Sequence, residues 1–148
     1  MNEQLTKDFN RNEFACRGLD CCSGSAPINI GLVVALQELR DLVGVPLRIN
    51  SGFRCRTHNR TLGSQDDSEH CLGNAADVKV PDGYGVDEFA TLAETIPDFA
   101  NGGIGRYPVR GFVHLDVRDE KARWTWGDSQ EKWPTVRRKT RPAARSLS

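Results

Sequence analysis

An α+β fold, a small antiparallel sheet with flanking helices, is what this 148-residue sequence predicts. Three observations carry the prediction. Two stretches show the apolar spacing of amphipathic helices, and several short stretches alternate with the period of a strand. The two kinds do not follow one another in regular βαβ order. The length suits a single domain with one core. A composition of 38% hydrophobic and 27% charged residues fits an ordinary folded protein.

The elements follow in order. Phe9 to Cys22 reads as irregular, within an N-terminal arm of about residues 1–28. Asn29 is placed to cap a helix from Ile30 to about Val43, whose stripe is Leu32, Val33, Leu36, Leu39 and Leu42/Val43. Gly44 and Pro46 stop it. Leu47 to Asn50 reads as a short strand ended by Ser51-Gly52, and the polar stretch Thr57 to Gly73 as loop with a short helix near Thr57 to Leu62. Ala76 to Val80 alternates as a strand and stops at Pro81-Asp82-Gly83. A second helix runs from Asp87 through Ile96, with Phe89, Leu92, Ala93 and Ile96 on one face. Gly102 to Tyr107 and Phe112 to Val117 read as strands around a turn at Pro108 to Gly111, and Trp124 and Trp126 as a last strand.

Charge and hydropathy narrow the function classes. The longest apolar stretch, Gly31 to Leu36, is far too short to span a bilayer, so no membrane insertion is expected. Met1 to Asn10 has no apolar segment of a secretory leader, so synthesis in the cytoplasm without a signal peptide is expected. Twenty basic against twenty acidic residues argue against a chain basic throughout, and no nucleic-acid partner is expected. The zero conceals an asymmetry. Arg137, Arg138, Lys139, Arg141 and Arg145 put five positive charges into the last twelve residues, which hold no acid, and leave residues 1–136 at minus five. The expected organisation is one domain over 1–136 and a basic, disordered tail over 137–148, either a plain solvated terminus or a handle for an anionic polymer.

Five cysteines leave at least one unpaired within a monomer, the expected state of the chain. A structural zinc knot using Cys16, Cys21 or Cys22 and Cys55 is one reading, since Cys16-x4-Cys21 has suitable spacing. No second close pair completes it, and synthesis without export favours reduced thiols.

Strand parity is the most informative local feature. In Phe112 to Val117, Val113, Leu115 and Val117 share the face that seals the core, and His114 and Asp116 share the other. Alternate residues on a strand lie roughly 6.5–7 Å apart, close enough for one to bind a metal while the other handles its water. The same rule buries Ala76, Val78 and Val80 and turns Asp77 outward. His70 stands seven residues before Asp77. His70, Asp77 and His114 thus offer two imidazoles and a carboxylate, a common catalytic zinc set that leaves one position for water. Arg54, in Ser51-Gly52-Phe53-Arg54 at a turn, is suited to hold a substrate carboxylate or an oxyanion. His58 reads as a bystander in a polar loop.

Taken together these segments resemble the zinc D-Ala-D-Ala carboxypeptidases of metallopeptidase family fifteen, which share a fold with the hedgehog signalling domain. The matching residues are Ser51-Gly52-Phe53-Arg54 with Asn59, then Ser-x-His-x-x-Gly-x-Ala-x-Asp over Ser68 to Asp77. Gly103-Ile104-Gly105-Arg106-Tyr107 and Phe112-Val113-His114-Leu115-Asp116-Val117 follow in the same order, so the resemblance covers roughly residues 9–126. It implies zinc held by His70, Asp77 and His114, Arg54 binding the substrate, and Ser51 and Ser68 in or under the pocket. The implied substrate is a peptidoglycan stem peptide, cut by a carboxypeptidase or an endopeptidase. A short chain of this one domain looks most like a phage-type endolysin, which would reach the wall through a holin-like pore.

One position departs from the family. Several members carry the catalytic acid three residues before the last histidine, where this chain has Gly111, and the hedgehog-type position is Pro108. The short subgroup that reads His-x-Asp makes Asp116 the expected general base, with Glu69, Asp66 and Asp67 in reserve.

Overall fold

The structure, a computed structural model, describes residues 3–65 and 67–127. The basic tail expected over 137–148 lies outside them, as do Asp66 and the last residues assigned to the domain.

Helix α1 (Ile30–Val43) begins where the cap was expected: Asn29 Oδ1 accepts from the Gly31 amide at 2.8 Å. It ends at Gly44, whose φ of 75° suits a residue without Cβ. Leu32, Val33, Ala35, Leu36, Leu39 and Val43 are buried, while Leu42 is exposed, so Val43 completes the stripe. The short helix α2 (Arg56–Thr61) follows the loop that carries Arg54. Helix α3 (Val86–Ala93) stops three residues short of the expected Ile96, and α4 (Pro97–Ala100) starts anew. Proline explains the break: it drives Ile96 into an extended conformation (φ −95°, ψ 114°) and suits the first turn of a helix. The arm holds one regular piece, a 3-10 turn over Arg11–Phe14, whose Phe14 joins Phe9 in the core.

Strands β1 (Ile49–Ser51), β2 (Ala75–Lys79), β3 (Gly103–Tyr107), β4 (Phe112–Asp116) and β5 (Ala122–Thr125) form one sheet in the order β1-β2-β4-β3-β5. Val80, read as a strand residue from the sequence, lies just beyond β2. All neighbours are antiparallel except β3 and β5. That exception has a topological cause. The free edge of β4 is already taken by β2, so the chain leaving β4 crosses the sheet end and adds outside β3, running parallel to it.

One face of the sheet carries Ala76, Val78, Ile104, Val113 and Leu115, which pack with α1, α3 and α4 into the main core. The opposite face is organised by a transverse row. Ser51 lies opposite Asp77, Asp77 opposite His114, His114 opposite Gly105, and Gly105 opposite Trp124, one residue from each strand. Gly105 is small so that the Trp124 indole can lie over it and meet the His114 ring, centroids 5.0 Å apart. A Cβ at Gly105 would run into that indole. Gly105→Ala is therefore expected to cost about 1–3 kcal/mol of stability, read from denaturant melts followed by tryptophan fluorescence. Unchanged stability would mean that Trp124 moves away freely.

A candidate metal centre on the second face of the sheet

Parity put His114, Asp116 and Asp77 on the face away from the main core, and they are there. The expectation that Asp77 points outward needs correction. Asp77 is 6% exposed, His114 and His70 1%, and Asp116 fully buried. The face is covered, by Trp124 on one side and by the Arg54 loop and a 3-10 turn over Glu69–Leu72 on the other. That turn was not foreseen. Ser68 Oγ caps it by accepting from the His70 amide at 3.1 Å, and Gly73 ends it at a φ of 75°.

Three donor atoms converge. His70 Nε2 lies 3.3 Å from Asp77 Oδ1, and His114 Nδ1 lies 3.1 Å from the same oxygen. A single ligand atom from each of the three residues falls within 4.8 Å of the others. The opposite ring nitrogens are anchored. His70 Nδ1 donates to the Gly52 carbonyl at 2.7 Å, and His114 Nε2 donates to Asp116 Oδ2 at 2.6 Å. These anchors fix the tautomers and turn one lone pair of each ring toward Asp77. Two imidazole nitrogens and one carboxylate oxygen, each ring held from behind by a carbonyl or a carboxylate, fit zinc.

The electrostatics agree with that use. Burial, and then the nearby Arg54 charge, push His70 below the ordinary imidazole range, so it is neutral and its Nε2 is available. Burial acts in the same direction on His114, but the neighbouring carboxylates, Asp116 first and then Asp77, outweigh it and raise this ring. Asp77 would be raised by burial; its two imidazole neighbours, His70 foremost, instead hold it well below the carboxylate range. The result is an anion with two imidazoles aimed at it, a place prepared for a cation.

Arg54 stands behind this group. Its Nη2 donates to Asp77 Oδ2 at 3.2 Å, Nη1 to Asn59 Oδ1 at 3.1 Å and Nε to Ser51 Oγ at 3.2 Å. Three of the five guanidinium donors are thus used inside the protein, and the residue is 5% exposed. The sequence assigned it to the substrate; the structure places it where it fixes the carboxylate of Asp77. Ser51 and Ser68, expected near the pocket, are a partner of Arg54 and the cap of the turn that carries His70.

Asp116 also differs from its expected place. Its Oδ1 accepts from the Gly103 amide at 2.9 Å and from the amide and Nε of Arg118 at 3.1 and 2.9 Å. Its Oδ2 accepts from His114 Nε2 and from Arg118 Nη2 at 2.7 Å. The carboxylate lies at the far nitrogen of His114 with both oxygens engaged. Against the effect of burial, the His114 and Arg118 hydrogen bonds hold it far below the range of a group that takes up protons near neutrality. Gly103 makes room for it, since a Cβ there would meet the carboxylate. Arg118 was missed in the sequence; its only local signal was a charge two residues beyond Asp116.

Among the reserve carboxylates, Asp66 lies outside the described residues and Asp67 is exposed. Glu69 is 8% exposed; its Oε1 accepts from Asn74 at 3.1 Å, and its other oxygen has no hydrogen bond among the described residues. His58 is apart from the group, its amide donating to Cys55 Sγ.

A fold of this order with this donor set is that of a metallopeptidase. The family model for peptidase M15 matches residues 7–116, and the chain belongs to that zinc-dependent family. Among curated proteins no relative matches it.

The position of Arg54 makes a prediction. Arg54→Lys keeps the charge but loses the fork, so Asp77, Asn59 and Ser51 can no longer be held together. Zinc affinity, measured by competition with a chromophoric chelator, is expected to fall about 10–100-fold. A raised KM with unchanged zinc affinity would return Arg54 to the substrate-binding role.

Proposed function

We propose that the protein is a zinc-dependent peptidase that hydrolyses amide bonds in peptidoglycan stem peptides or their cross-links, as a carboxypeptidase or an endopeptidase. In this reading it acts at the cell wall in phage-type host lysis or wall remodelling, made in the cytoplasm and released through a holin-like pore. The observation that supports it most is the convergence of His70 Nε2 and His114 Nδ1 on Asp77 Oδ1 in an M15 domain.

The residues divide the work. His70, Asp77 and His114 hold zinc, which when bound supplies a Lewis acid for the scissile carbonyl and for the attacking water. Arg54 fixes Asp77, the Gly52 carbonyl fixes His70, and Asp116 fixes His114, so the three donors need no rearrangement during turnover. Asp116 is thereby a positioning residue. Proton transfer from the water and to the leaving amine falls to Glu69, the buried carboxylate of the metal loop with an oxygen left over.

Digestion of purified peptidoglycan, with mass spectrometry of the released fragments, tests the proposal. New amine termini that disappear with a chelator and return with zinc are expected. The second reading is a non-catalytic, zinc-stabilised wall-binding module, favoured by Gly111 standing where relatives carry an acid. Wall binding without new termini would establish it and overturn the peptidase reading.

A further inference from the structure

Four of the five cysteines meet in space. Cys16 Sγ lies 3.9 Å from Cys21 Sγ and 3.9 Å from Cys55 Sγ, and Cys21 Sγ lies 4.0 Å from Cys22 Sγ. All four sulfurs fall within 4.8 Å of one another. Zinc–sulfur bonds of about 2.3 Å in a tetrahedron separate the sulfurs by about 3.8 Å, close to the three shorter spacings. We propose that Cys16, Cys21, Cys22 and Cys55 form a second, structural metal site that binds one zinc ion as a tetrathiolate.

The surrounding backbone is shaped to bring the sulfurs together. The arm between Cys16 and Ser25 turns back on itself through three positive φ angles, at Asp20 (56°), Ser23 (59°) and Gly24 (72°). Asp20 and Ser23 carry side chains in a region such residues seldom adopt. The loop is closed by the Cys16 amide on the Ser25 carbonyl at 2.8 Å and by Ser25 Oγ on the Cys22 carbonyl at 2.9 Å. Gly18 has no side chain because a Cβ would press on Cys21 Sγ at 2.6 Å and on the His58 ring. Cys55 Sγ accepts the His58 amide at 3.4 Å, which fixes this sulfur at the start of α2.

A dication holds four thiolates at these separations by displacing the thiol protons.

The site also has a structural task. Residues 15–29 contain no helix or strand, and Leu19 is 88% exposed, so apolar burial does little to hold this loop. Three cysteines come from the loop and the fourth, Cys55, caps α2 next to Arg54. A metal there ties the arm to the segment that holds Asp77 in place.

The test uses the full chain. Wild type purified with zinc is expected to hold two zinc ions per chain, and His70→Ala with His114→Ala one. Cobalt substitution of either protein should give thiolate-to-cobalt charge-transfer bands and the intense visible bands of a tetrahedral site, which nitrogen and oxygen donors alone do not produce. Cys16→Ser with Cys55→Ser should abolish those bands; if that variant does not fold, the wild-type and double-histidine spectra decide. One zinc in wild type with five titratable thiols, or a mass lower by two hydrogen atoms per disulfide, would overturn the proposal. Loss of peptidase activity in the histidine variant leaves this test intact, because its readout is the sulfur-bound metal.

Discussion

Replacing His114 with alanine is expected to empty the His70, Asp77, His114 group of zinc and to lower hydrolysis of wall peptides by about a thousandfold or more. Lewis-acid assistance is worth several kcal/mol, and each 1.36 kcal/mol is a factor of ten in rate. The substitution removes one of three donors and does more besides. Asp116 loses the imidazole at 2.6 Å, and the Trp124 ring loses the neighbour it packs against. A cavity then opens between the sheet and the indole, so a drop in stability of about 2–4 kcal/mol accompanies the loss of metal. His70→Ala separates the two effects: it removes a donor whose own hydrogen bonds run to Gly52 and Asp77, away from Trp124 and Asp116. Zinc content by elemental analysis, rates on a soluble stem peptide and chemical denaturation of both variants test this. Full activity in either would remove the site from the mechanism.

What the sequence revealed divides along a physical line. Helix α1 was legible because its signals are local: Asn29 to start, an apolar stripe, Gly44 to stop. Strand β4 was legible because alternation assigns each side chain to a face, and Val113 and His114 are on the faces parity gives them. Parity does not say whether the second face meets water. That depends on Trp124, forty-seven residues after Asp77, and on the Arg54 loop, twenty-three before it. For the same reason Asp77 was expected to be exposed and is buried. The role of Asp116 was hidden one level deeper. Parity puts it beside His114, yet which ring nitrogen it meets depends on Arg118 and on the absent side chain of Gly103. Helix α3 was overextended because Ile96 fits its apolar spacing, and the proline that follows ended it. The cysteine cluster was only half visible, since Cys55 is thirty-three residues beyond Cys22 and nothing local ties the two.

Asp116→Asn and Glu69→Gln, compared side by side, are expected to fail in different ways. The hydrogen bonds of Asp116 make its variant instructive. Oδ1 faces the Gly103 amide and Arg118, and Oδ2 faces His114 Nε2 and Arg118 Nη2. An asparagine oxygen can keep one set of donors, but its NH2 group then confronts the other. Turned toward His114, that NH2 can only donate, so Nε2 must accept and the ring proton moves to Nδ1, the nitrogen aimed at Asp77. The wrong tautomer blocks a metal ligand. Turned toward Arg118, it leaves a buried guanidinium short of an acceptor, and complete removal of that partner in Asp116→Ala is expected to cost about 3–5 kcal/mol. Asp116→Asn should therefore weaken zinc binding about 10–100-fold, and excess zinc should restore much of the activity. Glu69→Gln keeps all three donors and their anchors, so zinc stays bound at normal affinity while kcat falls by about 10²–10⁴. Zinc titrations by chelator competition, paired with kcat measured at saturating zinc, distinguish the two. If Asp116→Asn binds zinc normally and loses kcat while Glu69→Gln is active, the proton belongs to Asp116, and its contacts with His114 and Arg118 must open during turnover.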